Sequence, residues 1–424
     1  MNILLINAPS PDKHIYIRDT NRSGRRSHER TIWPQTGLAM IAAMFPDHNV
    51  RILDCIAEKI SYKNLFEMMQ EFKPDWVITN PISSTFTHDM IVCHYAKALG
   101  AKTVIVSPHA KALKEEVHGK FPSLDHVINY QRGGIEFEYL IRELITGQSA
   151  EGTTFSDFPP ARQDLLPTKY YSLPFIGKNY TFVVISRGCP YKCIYCRQNV
   201  MFENIVRYRN VDSVIEEIKR YNLKNIAIHS DTATLRKDWM YEFCGKLPPG
   251  TRWITNSRVD TIDYELLCAM KKAGCWMVCY GIESGDNKVL EMNKKGATVE
   301  QAIQAVKWTK KAGIKVWGYF MLGLNGETKQ TMEKTLSLAM SLPCDIANFS
   351  ISAPYPGTEW NKIASKERWI LDDRWESYDQ NYSSIVNQPN CTAREVKSFQ
   401  KYAYFRWFFS WNGIKFLWNL LNGY

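Results

Sequence analysis

The stretch Ser186-Arg-Gly-Cys189-Pro-Tyr-Lys-Cys193-Ile-Tyr-Cys196 places three thiols on one short loop, spaced C-x3-C-x2-C. Three thiolates so close can hold three irons of a [4Fe-4S] cubane and leave the fourth iron open. Gly188 and Pro190 shape a loop tight enough to wrap a cluster. A zinc knuckle is the alternative, but structural zinc takes four ligands, usually from paired C-x2-C halves, and no fourth Cys or His lies nearby in sequence. Cys189, Cys193 and Cys196 are therefore the expected metal ligands.

The loop follows an apolar run, Thr181–Ser186, that reads as a strand. Downstream, strand patterns at 225–229, 252–255, 276–281, 315–321 and 346–352 alternate with helical ones. Six such units over residues 179–358 predict a partial (β/α)6 barrel with its chemistry at the carboxyl ends of the strands. Upstream, residues 1–148 show five more units, with strands near 3–7, 50–53, 76–79, 103–107 and 126–129. They predict a doubly wound, flavodoxin-like parallel sheet, which binds ligands in the loops at its carboxyl edge. Those loops are 7–11, 81–87, 107–110 and 130–134. Residues 149–178, rich in Pro, Ser, Thr and Gly, read as an ordered linker. Residues 359–424 read as a helical extension whose last 26 residues include eleven aromatics.

Composition bounds the function. The 424 residues are 45% apolar and 23% charged, ordinary for a folded protein. The opening Met-Asn-Ile-Leu-Leu-Ile-Asn reads as a buried strand, not a signal peptide, and no run suits a spanning helix. Eleven cysteines without a secretory signal point to a reducing, cytoplasmic setting. The net charge of +10 suits several anionic partners and selects none.

The barrel motifs resemble the radical SAM superfamily. There the open iron binds S-adenosylmethionine (SAM), and reduction yields a 5′-deoxyadenosyl radical. Ser230-Asp231-Thr232 stands where that family has its second-strand loop. Asn256-Ser-Arg258-Val-Asp260 resembles its third-strand motif, and Gly281-Ile-Glu283-Ser-Gly285 its fourth. Gly318-Tyr-Phe-Met-Leu-Gly323-Leu-Asn-Gly-Glu327 resembles the fifth, which backs the adenine. Ala353-Pro-Tyr355-Pro-Gly-Thr358 closes the barrel as in the same relatives. The resemblance implies that Asp231, Arg258 and Glu283 hold SAM polar groups, that Tyr195 packs beside SAM, and that Gly323 and Tyr355 complete the site.

With the first 150 residues included, the chain is most similar to radical SAM enzymes that carry an N-terminal cobalamin-binding domain. The matching pieces include Trp33-Pro-Gln-Thr-Gly37-Leu38 and Ser107-Pro-His109-Ala. The resemblance implies cobalamin contacts at Pro9, Gly37, Leu38, Ser83, Ser84, Thr85, Pro108, His109 and Gly133, and a reductant such as flavodoxin or ferredoxin. His14, in Asp12-Lys-His14, is not expected to ligate cobalt.

The expected reaction is anaerobic methylation of an unactivated carbon of a small-molecule or lipid-like substrate. The nearest alternative is an oxidative cyclase or rearrangement enzyme resembling the anaerobic magnesium-protoporphyrin monomethyl ester cyclases. An RNA-modifying methylthiotransferase fits poorly, since only Cys55 and Cys93 precede residue 150, and no nucleic-acid partner is expected. A catalytically silent cofactor-binding module is the remaining rival. Arg18, Arg22, Arg25, Arg26 and Arg30 form either a solvated loop or an anion grip. The aromatic tail either packs on the barrel or contacts a membrane surface. Cys275 and Cys279 are expected to be small buried hydrophobes, and His229 either a site or a core residue.

Overall fold

The computed structural model describes residues 1–18, 24–27, 31–128, 131–173 and 177–421, with the side chains of 173 and 417–421 left out. Arg22 and Arg30, singled out above, lie outside these residues, as do Asn129 at the end of the fifth expected strand and Tyr130 at the start of the loop after it.

The first 128 residues supply strands β1 (Asn2–Asn7), β2 (Asn49–Asp54), β3 (Trp76–Thr79), β4 (Lys102–Val106) and β5 (His126–Ile128). They pair in parallel in the order β2-β1-β3-β4-β5, the flavodoxin-like order. Near-continuous apolar runs such as Ile3–Ile6 form these strands because helices cover both faces of a parallel sheet.

A second parallel sheet runs in simple sequence order: β6 (Thr181–Val184), β7 (Asn225–His229), β8 (Arg252–Ser257), β9 (Cys275–Glu283), β10 (Lys315–Leu322) and β11 (Ile346–Ile351). Helices such as Val211–Arg220 and Val299–Lys311 alternate with the strands. This is a six-stranded partial barrel.

The two sheets share one apolar core. Ile3, Leu5 and Ile78 of the first belong to the same buried cluster as Phe182, Ile254 and Met277 of the second. Phe155, Phe158, Leu166 and Tyr171 of the connecting segment are buried in it too, so that segment is packed rather than loose. Polar ties add direction: Tyr171 Oη donates to Asp54 Oδ2 (2.9 Å) and Thr36 Oγ1 to the Phe182 carbonyl (3.3 Å).

A further tie is ionic. After β5 the chain makes a hairpin, Gln131–Arg132 against Ile135–Glu136, turned by Gly133 (φ +58°) and Gly134 (φ +88°). Two positive φ values in a row suit glycine and give a two-residue hairpin loop. The hairpin delivers Glu136, and the helix that follows it delivers Glu138. Arg187, next to the cysteine loop, donates from Nη1 to Glu136 Oε2 (3.0 Å) and Glu138 Oε2 (2.7 Å), and from Nη2 to Glu138 Oε1. Arg207 adds a bond to Glu136. Arg187, Glu136 and Glu138 are all essentially inaccessible.

Two expectations change. The anion-grip reading fails for Arg18. Its guanidinium is fully buried, paired with Asp89 (2.6 Å) and bonded to the Ala8 and Pro9 carbonyls, so it shapes the carboxyl-edge loop. The extension beyond the barrel is helical over Glu359–Lys366, Ala393–Phe408 and Trp411–Leu421. Between the first two, residues 367–391 are mostly irregular, with one short turn at Trp375–Ser377. Asp372, Asp379 and Asn387 there accept backbone N–H bonds, the local bonding that competes with helix.

Replacing Arg187 by Met leaves Glu136 and Glu138 buried with less compensation. A loss of about 3–5 kcal/mol in unfolding free energy is expected from urea titration of the Arg187→Met variant. A change under about 1 kcal/mol would mean the network is not what joins the sheets.

Candidate active site

The carboxyl ends of the barrel strands surround a cavity of about 340 Å³, within the usual range of about 300–1,000 Å³ for small-molecule sites. Cys189, Cys193 and Cys196 all line it, and all are free thiols. Burial pushes the Cys189 and Cys196 thiols above the ordinary range, and the nearby Cys193 adds to both shifts. Metal binding removes that conflict by replacing the protons. Among the described residues no three His, Cys, Asp or Glu side chains converge on one ion position. A cubane takes one thiolate per iron, so its ligands do not need to converge.

The loop's shape has an identifiable cause. Gly188 has φ +84°, and a Cβ there would lie 1.9 Å from the Ile205 carbonyl oxygen. Only glycine lets the chain turn under Ile205. Asp231, at the mouth of β7, accepts the Gly188 N–H (Oδ2, 2.9 Å), so it braces the loop as well as lining the cavity.

Arg258 follows β8 and is nearly inaccessible. It forms a fork with Asp260 (2.8 and 3.0 Å) and donates to the Lys295 carbonyl (2.6 Å). Its guanidinium lies 3.4 Å from the Tyr191 ring centroid and 4.0 Å from Cys193 Sγ. Arg258 thus clamps the cysteine loop from the side.

Glu283 ends β9 at φ +68°, a left-handed conformation that is costly for a glutamate and characteristic of functional sites. The register with β10 slips between Gly281 and Glu283, a bulge that re-aims the side chain. Its Oε1 accepts from Lys295 Nζ (2.9 Å). Burial opposes the Lys295 charge most strongly, but Glu283 and Cys193 together raise the amine's pKa. A Cβ on Gly281 would sit 2.6 Å from Glu283 Oε1 and 3.1 Å from Lys295 Nζ, the movable ends of the pair it borders. The cavity wall therefore carries a buried carboxylate–ammonium pair beside a cysteine.

Of the other SAM candidates, Tyr195 lines the cavity. Tyr355 lies behind Arg197, whose guanidinium sits 4.6 Å above its ring. Gly323 (φ +77°) faces Val396 of the helix Ala393–Phe408, at 3.2 Å from where a Cβ would be. Its N–H is accepted by Glu327, whose pKa burial raises to about 8. His229 is buried against Phe182. Cys279 lines the cavity, and Cys275 is buried behind it.

Ile17, Arg25 and Trp33 from the N-terminal part line the same cavity as the cysteines. Beyond them lies the carboxyl edge of the first sheet. Ser83 Oγ is 3.1 Å from His109 Nδ1, while His109 Nε2 and Ser84 Oγ are buried without partners. Burial holds His109 at a pKa of about 3, so the imidazole is neutral. Trp375 packs against the imidazole at 4.5 Å and anchors residues 367–391 to this edge. Pro108 begins the helix that carries His109. Thr85 is committed to Asp89 (2.6 Å) and the Pro9 carbonyl to Tyr62 (3.2 Å). Gly37 and Leu38 are buried in the core helix Thr36–Ala42, and Gly133 sits in the hairpin turn. His14 is paired with Asp12 (3.0 Å).

Gly188→Ala is expected to keep the far-ultraviolet spectrum of the folded chain but to lose most of its iron after reconstitution. Full iron content in that variant would contradict the role assigned to the turn.

A family model for the radical SAM superfamily matches residues 183–339. An uncharacterized methyltransferase of Pyrococcus horikoshii is 29% identical over 405 residues, covering 88% of this chain and 87% of that protein. The anaerobic magnesium-protoporphyrin IX monomethyl ester cyclase of Cereibacter sphaeroides is 24% identical, covering 77% of this chain and 59% of its own length. Among solved structures, the radical SAM methyltransferase TsrM of Kitasatospora setae, with cobalamin and a [4Fe-4S] cluster bound, superposes with a TM-score of 0.64. It is 16% identical and covers 86% of this chain and 78% of its own, a likeness of fold. Over residues 183–339 the chain is thus similar to the radical SAM superfamily.

Proposed function

We propose that the protein is a cobalamin-using radical SAM enzyme that methylates an unactivated carbon of an apolar small molecule. The observation that carries this reading is one cavity lined both by the three cysteines and by Ile17, Arg25 and Trp33 of the N-terminal part. A substrate held there lies between the barrel mouth and the loops of the first sheet. The cluster and SAM supply hydrogen abstraction from carbon, and cobalamin supplies the methyl group.

The residues divide that work. Cys189, Cys193 and Cys196 hold the cluster. Glu283, paired with Lys295, and Asp231 set a polar wall suited to the amino and carboxylate groups of SAM, and Tyr195 lies beside it. Arg258 keeps the cluster loop in place, and Asp260, the Lys295 carbonyl and Cys193 Sγ engage its donors, so we assign it positioning rather than direct contact. On the first sheet, neutral His109 and Ser84 bring unpartnered buried polar atoms that suit the amide side chains of a corrin. The remaining cobalamin candidates, Pro9, Ser83, Thr85, Pro108 and Gly133, shape the loops around them, and Gly37 and Leu38 support that edge from the core. Trp33 and Tyr319 line the cavity with aromatic surface, which suits an apolar substrate and limits water. A low-potential donor such as flavodoxin or ferredoxin is the matching reductant, in an anaerobic cytoplasmic setting.

The similarity to the cyclase supports a second reading, oxidative cyclisation in the same cavity. Products separate the two. Reduced anaerobically with SAM and hydroxocobalamin, the reconstituted protein is expected to form both 5′-deoxyadenosine and S-adenosylhomocysteine, and Cys193→Ala neither. 5′-Deoxyadenosine without S-adenosylhomocysteine would favour the cyclase reading. No consumption of SAM would contradict both.

A further inference from the structure

The two C-terminal helices carry aromatic side chains on a face that the barrel does not cover. Along Ala393–Phe408, one side packs on the barrel: Phe399, Ala403 and Trp407 are buried, and Gln400 Nε2 donates to the Phe349 carbonyl (2.8 Å). The opposite side repeats apolar residues at helical spacing. Tyr402, Phe405 and Phe409 are 44%, 59% and 70% exposed. Beyond Ser410, Trp411 (71%) and Ile414 (50%) extend the same character into the next helix. Five large apolar side chains this exposed, adjacent in the chain, mark an interaction surface rather than scatter.

The charges along this stretch of the chain are of one sign. From Val396 to Tyr424 the chain holds Lys397, Lys401, Arg406 and Lys415 and no acidic residue. Two of these cations border the exposed rings: Arg406 lies 5.6 Å from the Tyr402 ring and Lys415 5.0 Å from that of Trp411. A second copy of the chain meeting this face on a twofold axis would set basic residues against basic residues. A surface of anionic headgroups over hydrocarbon satisfies both features, since aromatic side chains settle at that boundary and lysine and arginine bind the headgroups.

We propose that the exposed face formed by Tyr402, Phe405, Phe409, Trp411 and Ile414 docks the protein on an anionic lipid bilayer. The contact is peripheral: among the described residues no helix is long and apolar enough to cross a membrane. It stands on these residues alone and does not depend on the cofactor reading.

The test is co-sedimentation of the full chain with vesicles of phosphatidylcholine alone and of phosphatidylcholine with phosphatidylglycerol. Binding to the anionic vesicles, weakened by salt, is expected. It should fall about fivefold for each of Lys401, Arg406 and Lys415 replaced by Gln. The triple variant Phe405→Ser, Phe409→Ser, Trp411→Ser should not bind while keeping wild-type helicity, since all three side chains point to solvent. Absence of binding, equal binding by the triple variant, or equal binding to neutral vesicles would overturn the proposal. So would a concentration-dependent dimer that the triple variant abolishes, which would assign the face to a second copy.

Discussion

The buried ion network of Arg187 with Glu136 and Glu138 is the constraint on which the site depends. Arg187 is followed directly by Gly188 and Cys189, so whatever fixes its guanidinium fixes the start of the cysteine loop. Its partners come from the hairpin and helix at the carboxyl edge of the first sheet. Burying three charges is expensive, and an apolar substitute of similar shape is often as stable. The network's distinct contribution is register: it sets the loop of one sheet against the edge of the other. Phe137 and Phe155 pack on the guanidinium, at 4.6 and 4.9 Å, and exclude water from it.

From that fixed point the cysteine loop is held on three further sides. Ile205 lies over Gly188, Asp231 accepts the Gly188 N–H, and Arg258 stacks on Tyr191. Each contact comes from a different barrel segment, so the loop's conformation records the assembled barrel. A cluster bound there meets a site whose charged groups are already paired, Arg258 with Asp260 and Lys295 with Glu283. Such a site changes little when a ligand enters, which favours precise placement over adaptation.

Much of this was legible from the sequence. The alternation of apolar runs with helical patterns gave both parallel sheets, because strands buried on both faces must be apolar throughout. The cysteine spacing and the short motifs after β7, β8, β9 and β10 located the mouth of the barrel. What stayed hidden were partnerships between distant residues. Nothing local marks Lys295 as the partner of Glu283, or Glu138 as that of Arg187, since neither pair has a helical or strand spacing. Arg18 was misread for the same reason: a cluster of arginines looks solvated unless Asp89, 71 residues away, is known to meet it. Residues 367–391 read as helical because helices flank them, whereas their Asp and Asn side chains bond the backbone locally. Gly188 suggests a tight loop in the sequence, but only the structure shows the Ile205 carbonyl that it avoids.

The proposed chemistry requires one chain to hold two cofactors on either side of one cavity. The direct measurement is the ultraviolet-visible spectrum of anaerobically reconstituted protein, gel-filtered after incubation with hydroxocobalamin. The account predicts corrinoid bands eluting with the iron–sulfur absorbance, and loss of the corrinoid alone in a His109→Ala, Ser84→Ala variant. Iron–sulfur absorbance without any corrinoid in the wild-type protein would contradict it and leave the first sheet with another purpose.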